Sequence, residues 1–284
     1  MHWGPNIFIF TWDRCETITT PQFFDASGIG YRLLVHNGHH AEQYVKHGRI
    51  NPGYIEITNK PKGLVYNRNY ALNHMEMGQW GLFFVDDFKD LTELDDYETF
   101  PSDLLPVDVT NSTIWGKKLR KPIDAETFLA RCEECINKAE NEGINLVGFA
   151  CYNNPLFRNQ KWKYNSLADG RCLLVKKTNL RFDENVQTID DYCWTAQNLK
   201  EFGGVLVNQW ILPNCERYTA GAFGTMEDRM EQKIKDCAYL VKTYPDYVHY
   251  ASKKGWPEGS HVAIVHHDKD WYKNKQLTSK NSLF

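Results

Sequence analysis

One segment constrains the fold of this chain more than any other: residues 80–87, WGLFFVDD, are apolar almost throughout and then end in two carboxylates. Such runs are typical of a central strand in a parallel sheet, because that strand is buried on both faces. In open α/β sheets, ligands bind outside the carboxyl ends of the strands. We therefore expect Asp86 and Asp87 to hold a divalent cation or to accept hydrogen bonds from a ribose or base.

Shorter apolar runs precede this segment and alternate with polar, helix-compatible stretches. Residues 7–12 (IFIFTW), 31–37 (YRLLVHN) and 54–57 (YIEI) have the pattern of strands, and the stretches between them end in glycine. A helical run at 65–78 then leads directly into residues 80–87. This alternation predicts an α/β fold with a Rossmann-type, mostly parallel central sheet flanked by helices.

The second half of the chain continues the alternation less regularly. The pattern predicts a long helix at about 124–142, strands within 145–152, 171–180 and 205–212, and a helix at about 225–243. An aromatic and basic tail follows that helix. We expect one compact domain at 1–224, with the C-terminal helix and tail, 225–284, packed on the same domain.

Composition narrows the class of protein. With 33 basic and 36 acidic residues, the net charge of −3 gives no global attraction for nucleic acid, so a polyanion would have to meet local basic patches. The sequence has neither a signal-peptide pattern nor an apolar run long enough to cross a membrane. The pair Cys132 and Cys135 lies in a helical stretch and is interpreted as reduced thiols, which suggests a cytoplasmic protein.

Positive charge lies close to the predicted carboxylate strand. Lys60 and Lys62 precede the helix that leads into this strand, and Arg68 lies within that helix. Such donors are what a diphosphate requires, and arginine can bind it through two hydrogen bonds. Arg14 follows the first strand and should fall at the same edge of the sheet.

A second acidic centre, Asp190 and Asp191, stands at the start of a predicted helix. Aspartates there commonly cap the helix and interact favourably with its dipole. A general base is the alternative interpretation, and it requires a tuned position and pKa that sequence does not show. Both interpretations stay open at this stage.

Taken in order, these stretches resemble the GT-A glycosyltransferases. In that family a first strand ends in an Arg-bearing turn, a helix with Arg-Asn precedes a strand ending in carboxylates, and a later acidic pair precedes a helix. The matching stretches are IFIFTWDR, KGLVYNRNYAL, WGLFFVDDF and LRFDENVQTIDDYCWTAQNLKEFGGVLV, within about 7–210. The resemblance implies a nucleotide-sugar half at about 1–122 and an acceptor half at about 123–224.

The resemblance also implies roles for individual residues. Arg14, Asp86 and Asp87 would contact the nucleotide and a metal, and Lys60 and Arg68 would contribute to donor binding, with Arg68 at the diphosphate. Asp191 would deprotonate the acceptor hydroxyl, and Asp190 could share that role. Many members carry a third carboxylate where this chain has Phe88. The ligands of a divalent cation, Mn²⁺ or Mg²⁺, therefore stay open among Asp87, Asp90, His266 and His267.

Within the family, the chain is most similar to the phage TET-associated glycosyltransferases, which modify hydroxymethylated pyrimidines in DNA. The similarity lies in TIDDYCWTAQNLKEFGGVLV and YLVKTYPDYVHYASKKG. It implies a UDP-sugar donor and, as acceptor, 5-hydroxymethylcytosine or its glycosylated form in double-stranded DNA, in the host cytoplasm. An enzyme of the same fold acting on a polysaccharide or protein, and a catalytically degenerate nucleotide- or DNA-binding member, stay open as alternatives.

Three clusters of basic and aromatic residues could contact DNA, because cationic side chains neutralise phosphates and aromatic faces stack on an extruded base. The first is Trp115, Lys117, Lys118, Arg120 and Lys121, the second Arg158, Lys161, Trp162, Lys163 and Tyr164, and the third Lys253, Lys254 and Trp256. The oligomeric state does not follow from the sequence.

Overall fold

The computed structural model describes residues 6–94, 120–152, 160–215 and 226–265. The helices are α1 (Thr20–Asp25), α2 (Gly38–Lys46), α3 (Leu64–Asn73), α4 (Ala125–Asn141), α5 (Asp190–Phe202) and α6 (Met226–Thr243). The strands are β1 (Ile7–Phe10), β2 (Arg32–Val35), β3 (Ile55–Ile57), β4 (Trp80–Val85), β5 (Phe88–Leu94), β6 (Arg120–Pro122), β7 (Leu146–Phe149), β8 (Trp162–Tyr164), β9 (Cys172–Lys176), β10 (Leu206–Asn208), β11 (Ile211–Cys215), β12 (Val248–Tyr250) and β13 (Val262–Ile264).

The central sheet has eight strands in the order β3-β2-β1-β4-β9-β7-β10-β8. Parallel pairs join β3 to β2, β2 to β1, β1 to β4 and β7 to β10, whereas β9 runs antiparallel to β4 and β7, and β8 to β10. The prediction of an α/β fold is confirmed, with a mixed and mostly parallel sheet. Each predicted half supplies four adjacent strands, and β4 and β9 join the two halves.

Alternate side chains of the strands enter two core layers, one on each face of the sheet. From β1, Ile7 and Ile9 pack in a layer with residues of α1, α2 and α4. Phe8 and Phe10 pack in the opposite layer with residues of α3, α5 and α6. Because helices cover both faces, every residue of β1 is buried, which explains why its sequence is apolar throughout.

The prediction of one strand within 205–212 is wrong in one respect, since two strands divide this segment. The side-chain carbonyl of Asn208 accepts a hydrogen bond from the Trp210 backbone N–H at 3.0 Å, which turns the chain between β10 and β11. β10 stays in the central sheet, whereas β11 joins β5 and β6 in a separate antiparallel sheet. A side-chain turn of this kind is hidden inside an otherwise apolar run.

The C-terminal part that the structure describes packs on the same core. Cys237 and Leu240 of α6 are buried in the layer that contains α5, as are Val262 and Ile264 of β13. β13 pairs with β12 as a short antiparallel hairpin. This hairpin and α6 therefore lie against the helix that begins with the second acidic centre.

Candidate active site at the carboxyl edge of the sheet

Three segments that are distant in sequence meet at one edge of the sheet. β1 and β4 are parallel and in register, with Phe10 beside Val85, so the residues after them leave the sheet side by side. β9 is antiparallel to β4, so the turn before β9 enters at this edge. The Val85 backbone N–H accordingly donates to the Arg171 carbonyl at 3.1 Å.

Asp86 and Asp87 share one arginine. Nη1 of Arg14 donates to Asp86 Oδ1 at 3.2 Å and to Asp87 Oδ2 at 2.6 Å. Thr11 Oγ1 donates to the other oxygen of Asp86 at 2.5 Å, and the Tyr44 hydroxyl lies 2.5 Å from Thr11 Oγ1. Burial raises the pKa of Asp86 to about 6, although the positive charge of Arg14 opposes this shift. The structure thus brings the predicted residues of the first acidic centre together.

Phe88 points away from this edge. Its ring is buried and lies 5.0 Å from the ring of Phe23 and 5.2 Å from that of Phe84, between centroids. The Phe88 backbone N–H donates to Thr20 Oγ1 at 3.2 Å, which fixes the start of β5 against α1. A carboxylate at position 88 would therefore enter the core layer, where burial of an unpaired charge is costly.

The second acidic centre is joined to α3 by Arg68. Nη1 of Arg68 donates to Asp190 Oδ2, and Nη2 donates to the Gly170 carbonyl at 2.5 Å. The guanidinium is 1% exposed and lies 5.8 Å and 5.3 Å from the ring centroids of Phe10 and Phe182. Contact of Arg68 with a diphosphate stays a prediction, and it would require a ligand to reach this buried guanidinium.

Asp191 receives hydrogen bonds from backbone groups. The Tyr192 N–H donates to Asp191 Oδ1 at 2.9 Å, and the Gly170 N–H donates to Oδ2 at 3.3 Å. Burial, followed by the negative charges of Asp190 and Asp169, raises the pKa of Asp191 to about 7. A carboxyl group with such a pKa is suited to accept a proton near neutral pH. Burial likewise raises the pKa of Asp190, against the effect of Arg68.

The sequence analysis missed the turn Asp169–Gly170–Arg171, which links the two acidic centres. Asp169 Oδ1 accepts from Arg171 Nε at 2.6 Å, and Oδ2 accepts from Nη2 at 3.0 Å. A methyl group on Gly170 would lie 3.0 Å from Arg68 Nη2 and 3.1 Å from Asp191 Cβ. The available signal was an Asp-Gly-Arg turn directly before an apolar strand, a position that faces the site only because β9 is antiparallel.

Asp236 of α6 was also missed, and it holds the segment that leads into the second acidic centre. Its Oδ2 atom accepts from the backbone N–H groups of Gln187 at 3.0 Å and Thr188 at 2.7 Å. The Thr188 hydroxyl donates to the same oxygen at 2.7 Å. No sequence signal distinguishes Asp236 from the other charged residues of its helix.

A metal centre is not formed by the part of the chain that the structure describes. No group of three His, Cys, Asp or Glu side chains in that part is arranged to hold a metal ion. The predicted ligand Asp87 instead pairs with Arg14, and His266 and His267 lie outside the described residues. Binding of a divalent cation stays a prediction, and no step of the proposed reaction is assigned to it.

The predicted DNA contacts are dispersed. Lys161 forms an ion pair with Glu134 at 2.5 Å, and Trp162 lies on β8, the end strand of the central sheet. Arg120 belongs to β6 in the separate antiparallel sheet. Lys60, predicted at the donor site, is exposed after β3. Four further predicted contacts lie outside the described residues: Trp115, Lys117, Lys118 and Arg158.

Comparison with known proteins assigns no family to this chain. No protein-family model matches it, and no curated protein is detectably similar to it in sequence. Within the described residues, no helix combines the length and apolar character needed to span a bilayer.

Proposed function

We propose that this chain is a GT-A-type glycosyltransferase that moves a sugar from a nucleotide-sugar, most simply a UDP-sugar, to a hydroxyl group. The proposed acceptor is 5-hydroxymethylcytosine, or its glycosylated form, in double-stranded DNA. One observation carries the proposal: the stretches that resemble the family converge at one sheet edge. Arg14 contacts Asp86 over 72 residues of chain, and Arg68 contacts Asp190 over 122.

The chemistry proposed for Asp191 is general-base catalysis. Its carboxylate removes the proton of the acceptor hydroxyl while that oxygen forms a bond to the anomeric carbon of the sugar. The bond between this carbon and the diphosphate oxygen breaks at the same time, and the nucleoside diphosphate leaves with the electron pair. A single displacement of this kind inverts the anomeric centre. The raised pKa of Asp191, about 7, supports this role.

The first acidic centre is proposed to bind the donor. Asp86 and Asp87 present acceptor oxygens for the ribose or base, and Arg14 supplies a cation between them. The side chain of Arg14 is 19% exposed, so it can reach an anionic ligand while it remains close to both carboxylates. A guanidinium in this position can stabilise the charge that develops on the leaving diphosphate.

A polysaccharide or protein acceptor is the second candidate, and one observation favours it. Lys161, predicted to contact DNA, is neutralised by Glu134. A phosphate would have to displace this carboxylate. The other alternative is a catalytically degenerate protein that binds a nucleotide or DNA, and it depends on the absence of a carboxylate at position 88. Phe88 is buried in the core, which weakens the case for this alternative.

The test is mass spectrometry of nucleosides released from duplex DNA after incubation with the protein and a panel of sugar nucleotides. We expect a mass increase of one sugar on 5-hydroxymethylcytosine, with matched DNA containing unmodified cytosine as the control. Parallel incubations contain glycan and protein acceptors. Transfer to those acceptors alone would contradict the DNA assignment, and the absence of both transfer and donor hydrolysis would contradict the enzyme assignment.

A further inference from the structure

Two lysine ammonium groups lie against one indole ring at the junction of α6 and the β12–β13 loop. Lys233 of α6 places Nζ 5.0 Å from the Trp256 ring centroid, and Lys253 places Nζ 4.6 Å from the same centroid. Lys253 and Trp256 both belong to the loop between β12 and β13. Among the residues that the structure describes, neither ammonium forms an ion pair with a carboxylate.

A chain of hydrogen bonds holds this arrangement together. Burial and the two neighbouring lysines lower the pKa of His261 to about 4, so its ring is neutral at neutral pH. Nε2 can then accept from Lys233 Nζ at 3.3 Å, and Nδ1 can donate to Ser260 Oγ at 3.0 Å. The Ser260 hydroxyl donates to the Pro257 carbonyl at 2.6 Å. The loop is thereby joined to α6, which keeps the two cations close despite their repulsion.

The position of the lysines relates them to the acceptor side of the site. Lys233 lies one helical turn before Asp236, which holds the Gln187 and Thr188 backbone just before the second acidic centre. The negative charge of Asp191 acts on Lys233 and opposes the lowering of its pKa by burial. The charges that act on Asp86 are instead those of Arg14 and Asp87.

A second tryptophan provides an internal comparison. Lys138 and Lys161 each place Nζ 5.5 Å from the Trp162 ring centroid, so the geometry resembles that at Trp256. There, however, each ammonium has a carboxylate partner: Glu142 lies 2.9 Å from Lys138, and Glu134 lies 2.5 Å from Lys161. The positive charge at Trp162 is neutralised within the protein, whereas an external anion could neutralise the charge at Trp256.

We propose that Lys233, Lys253 and Trp256 form a subsite for a phosphodiester group of the acceptor nucleic acid. A phosphate offers acceptor oxygens to both ammonium groups, which bind it as point charges. Lys233 belongs to the helix whose Asp236 holds the backbone before the second acidic centre, so the subsite would fix the DNA backbone on the acceptor side of the site. This inference rests on the proposed function, because it assumes that the acceptor is DNA.

The experiment measures binding of a fluorescent duplex containing 5-hydroxymethylcytosine between about 50 and 200 mM salt, by anisotropy. We expect Lys233→Gln and Lys253→Gln each to raise Kd for the duplex about tenfold. In the double variant, the fall of log K with log salt should become less steep by about one. Lys138→Gln is the matched control, since it removes the same charge from the other indole. It should bind as the wild type does.

Further measurements separate the sources of phosphate. UDP binding, measured by calorimetry, should be the same in wild type and both variants. An unchanged salt slope in the double variant would overturn the subsite, as would loss of UDP binding with DNA binding intact. Lys253 is exposed, so Lys253→Gln remains informative if Lys233→Gln does not fold. If the variants lose DNA binding as expected but the wild type transfers no sugar, the proposed function fails and the subsite stands.

Discussion

The two aspartate pairs of this molecule have similar surroundings, but arginine neutralises their negative charges differently. An arginine from a distant segment meets each pair. Arg14 places one nitrogen against both Asp86 and Asp87, so one cation serves the whole pair. Arg68 contacts only Asp190 of the second pair and uses its other nitrogen for a backbone carbonyl. In the described part of the chain, no arginine or lysine forms an ion pair with the remaining aspartate.

This difference shows how aspartate pairs in one protein can be suited to two different roles, ligand binding and proton transfer. A shared cation keeps the first pair suited to accept hydrogen bonds from a ligand. The second pair contains one compensated carboxylate and one, Asp191, whose charged form is disfavoured by burial and by neighbouring negative charge. Two carboxylates whose environments differ in this way can have separate roles, and Asp191 is the one that we propose as the proton acceptor.

The largest effect is expected from Asp191→Asn. Removal of a general base should lower kcat for sugar transfer about 10³-fold, because the amide cannot accept the proton of the acceptor hydroxyl. In contrast, Asp87→Asn should mainly raise KM for the nucleotide-sugar. Steady-state kinetics with saturating acceptor distinguish these outcomes. Full turnover by Asp191→Asn would abolish the distinction between the pairs and the inverting mechanism with it.

The next largest effect concerns stability. Arg68→Met should lower the free energy of unfolding by about 3–5 kcal/mol, because it leaves Asp190 buried without its cation. Arg14→Met should cost about 1–2 kcal/mol, since water can reach the partly exposed site and replace lost hydrogen bonds. Urea unfolding at pH 8 measures both. Equal losses of stability in the two variants would contradict the idea that the two pairs are neutralised differently. The double variant, Arg68→Met with Asp190→Leu, should recover much of the stability that Arg68→Met loses.

The first aspartate pair and its strand could be predicted from the sequence. The apolar run ending in Asp86 and Asp87 predicted a central strand and a ligand site at its end, and β4 is a central strand whose carboxyl end lies beside that of β1. Both features follow from local patterns: continuous burial and a sharp change from apolar to charged residues. Patterns of this kind act over a few residues, so sequence alone can reveal them.

The remaining features depend on strand direction and distant partners. Gly170 reaches Arg68 and Asp191 because β9 is antiparallel, and its sequence, RCLLVKK, does not encode that direction. The burial of Phe88 depends on rings from α1 and β4. Likewise, Lys161 at Trp162 pairs with Glu134, a partner 27 residues away that the sequence around Lys161 does not reveal. Contacts across the chain decide these cases.

A pH profile sharpens the comparison further. The pKa of Asp191 is raised to about 7, so the base is ionised above that pH and protonated below it. We expect kcat/KM for transfer to fall about tenfold per pH unit below pH 7. The slope should steepen near pH 6, where Asp86 also becomes protonated. A profile that is flat from pH 5 to pH 8 would remove Asp191 from the mechanism.

Thermal unfolding of Asp191→Asn is the control for this profile. A group whose pKa is raised on folding stabilises the protein below its unfolded pKa, and this contribution is lost as pH rises through the folded value. The asparagine variant removes that loss, so its Tm should exceed that of the wild type by a few degrees at pH 8 and match it near pH 4. The same asparagine would thus impair catalysis while it stabilises the fold.

The smallest effect is expected from Gly170→Ala. Gly170 contacts both Arg68, the partner of Asp190, and Asp191, so this variant tests whether Gly170 positions the two aspartates relative to each other. Its methyl group would lie 3.0 Å from Arg68 Nη2 and 3.1 Å from Asp191 Cβ, so both must move by a few tenths of an ångström. We expect kcat to fall about threefold to tenfold, because catalysis depends on the position of the base. Gly38→Ala, whose methyl group meets no atom within 4 Å, is the matched control. If Gly170→Ala keeps full kcat, then Asp191 tolerates displacement, and its backbone hydrogen bond from Gly170 does not position the base.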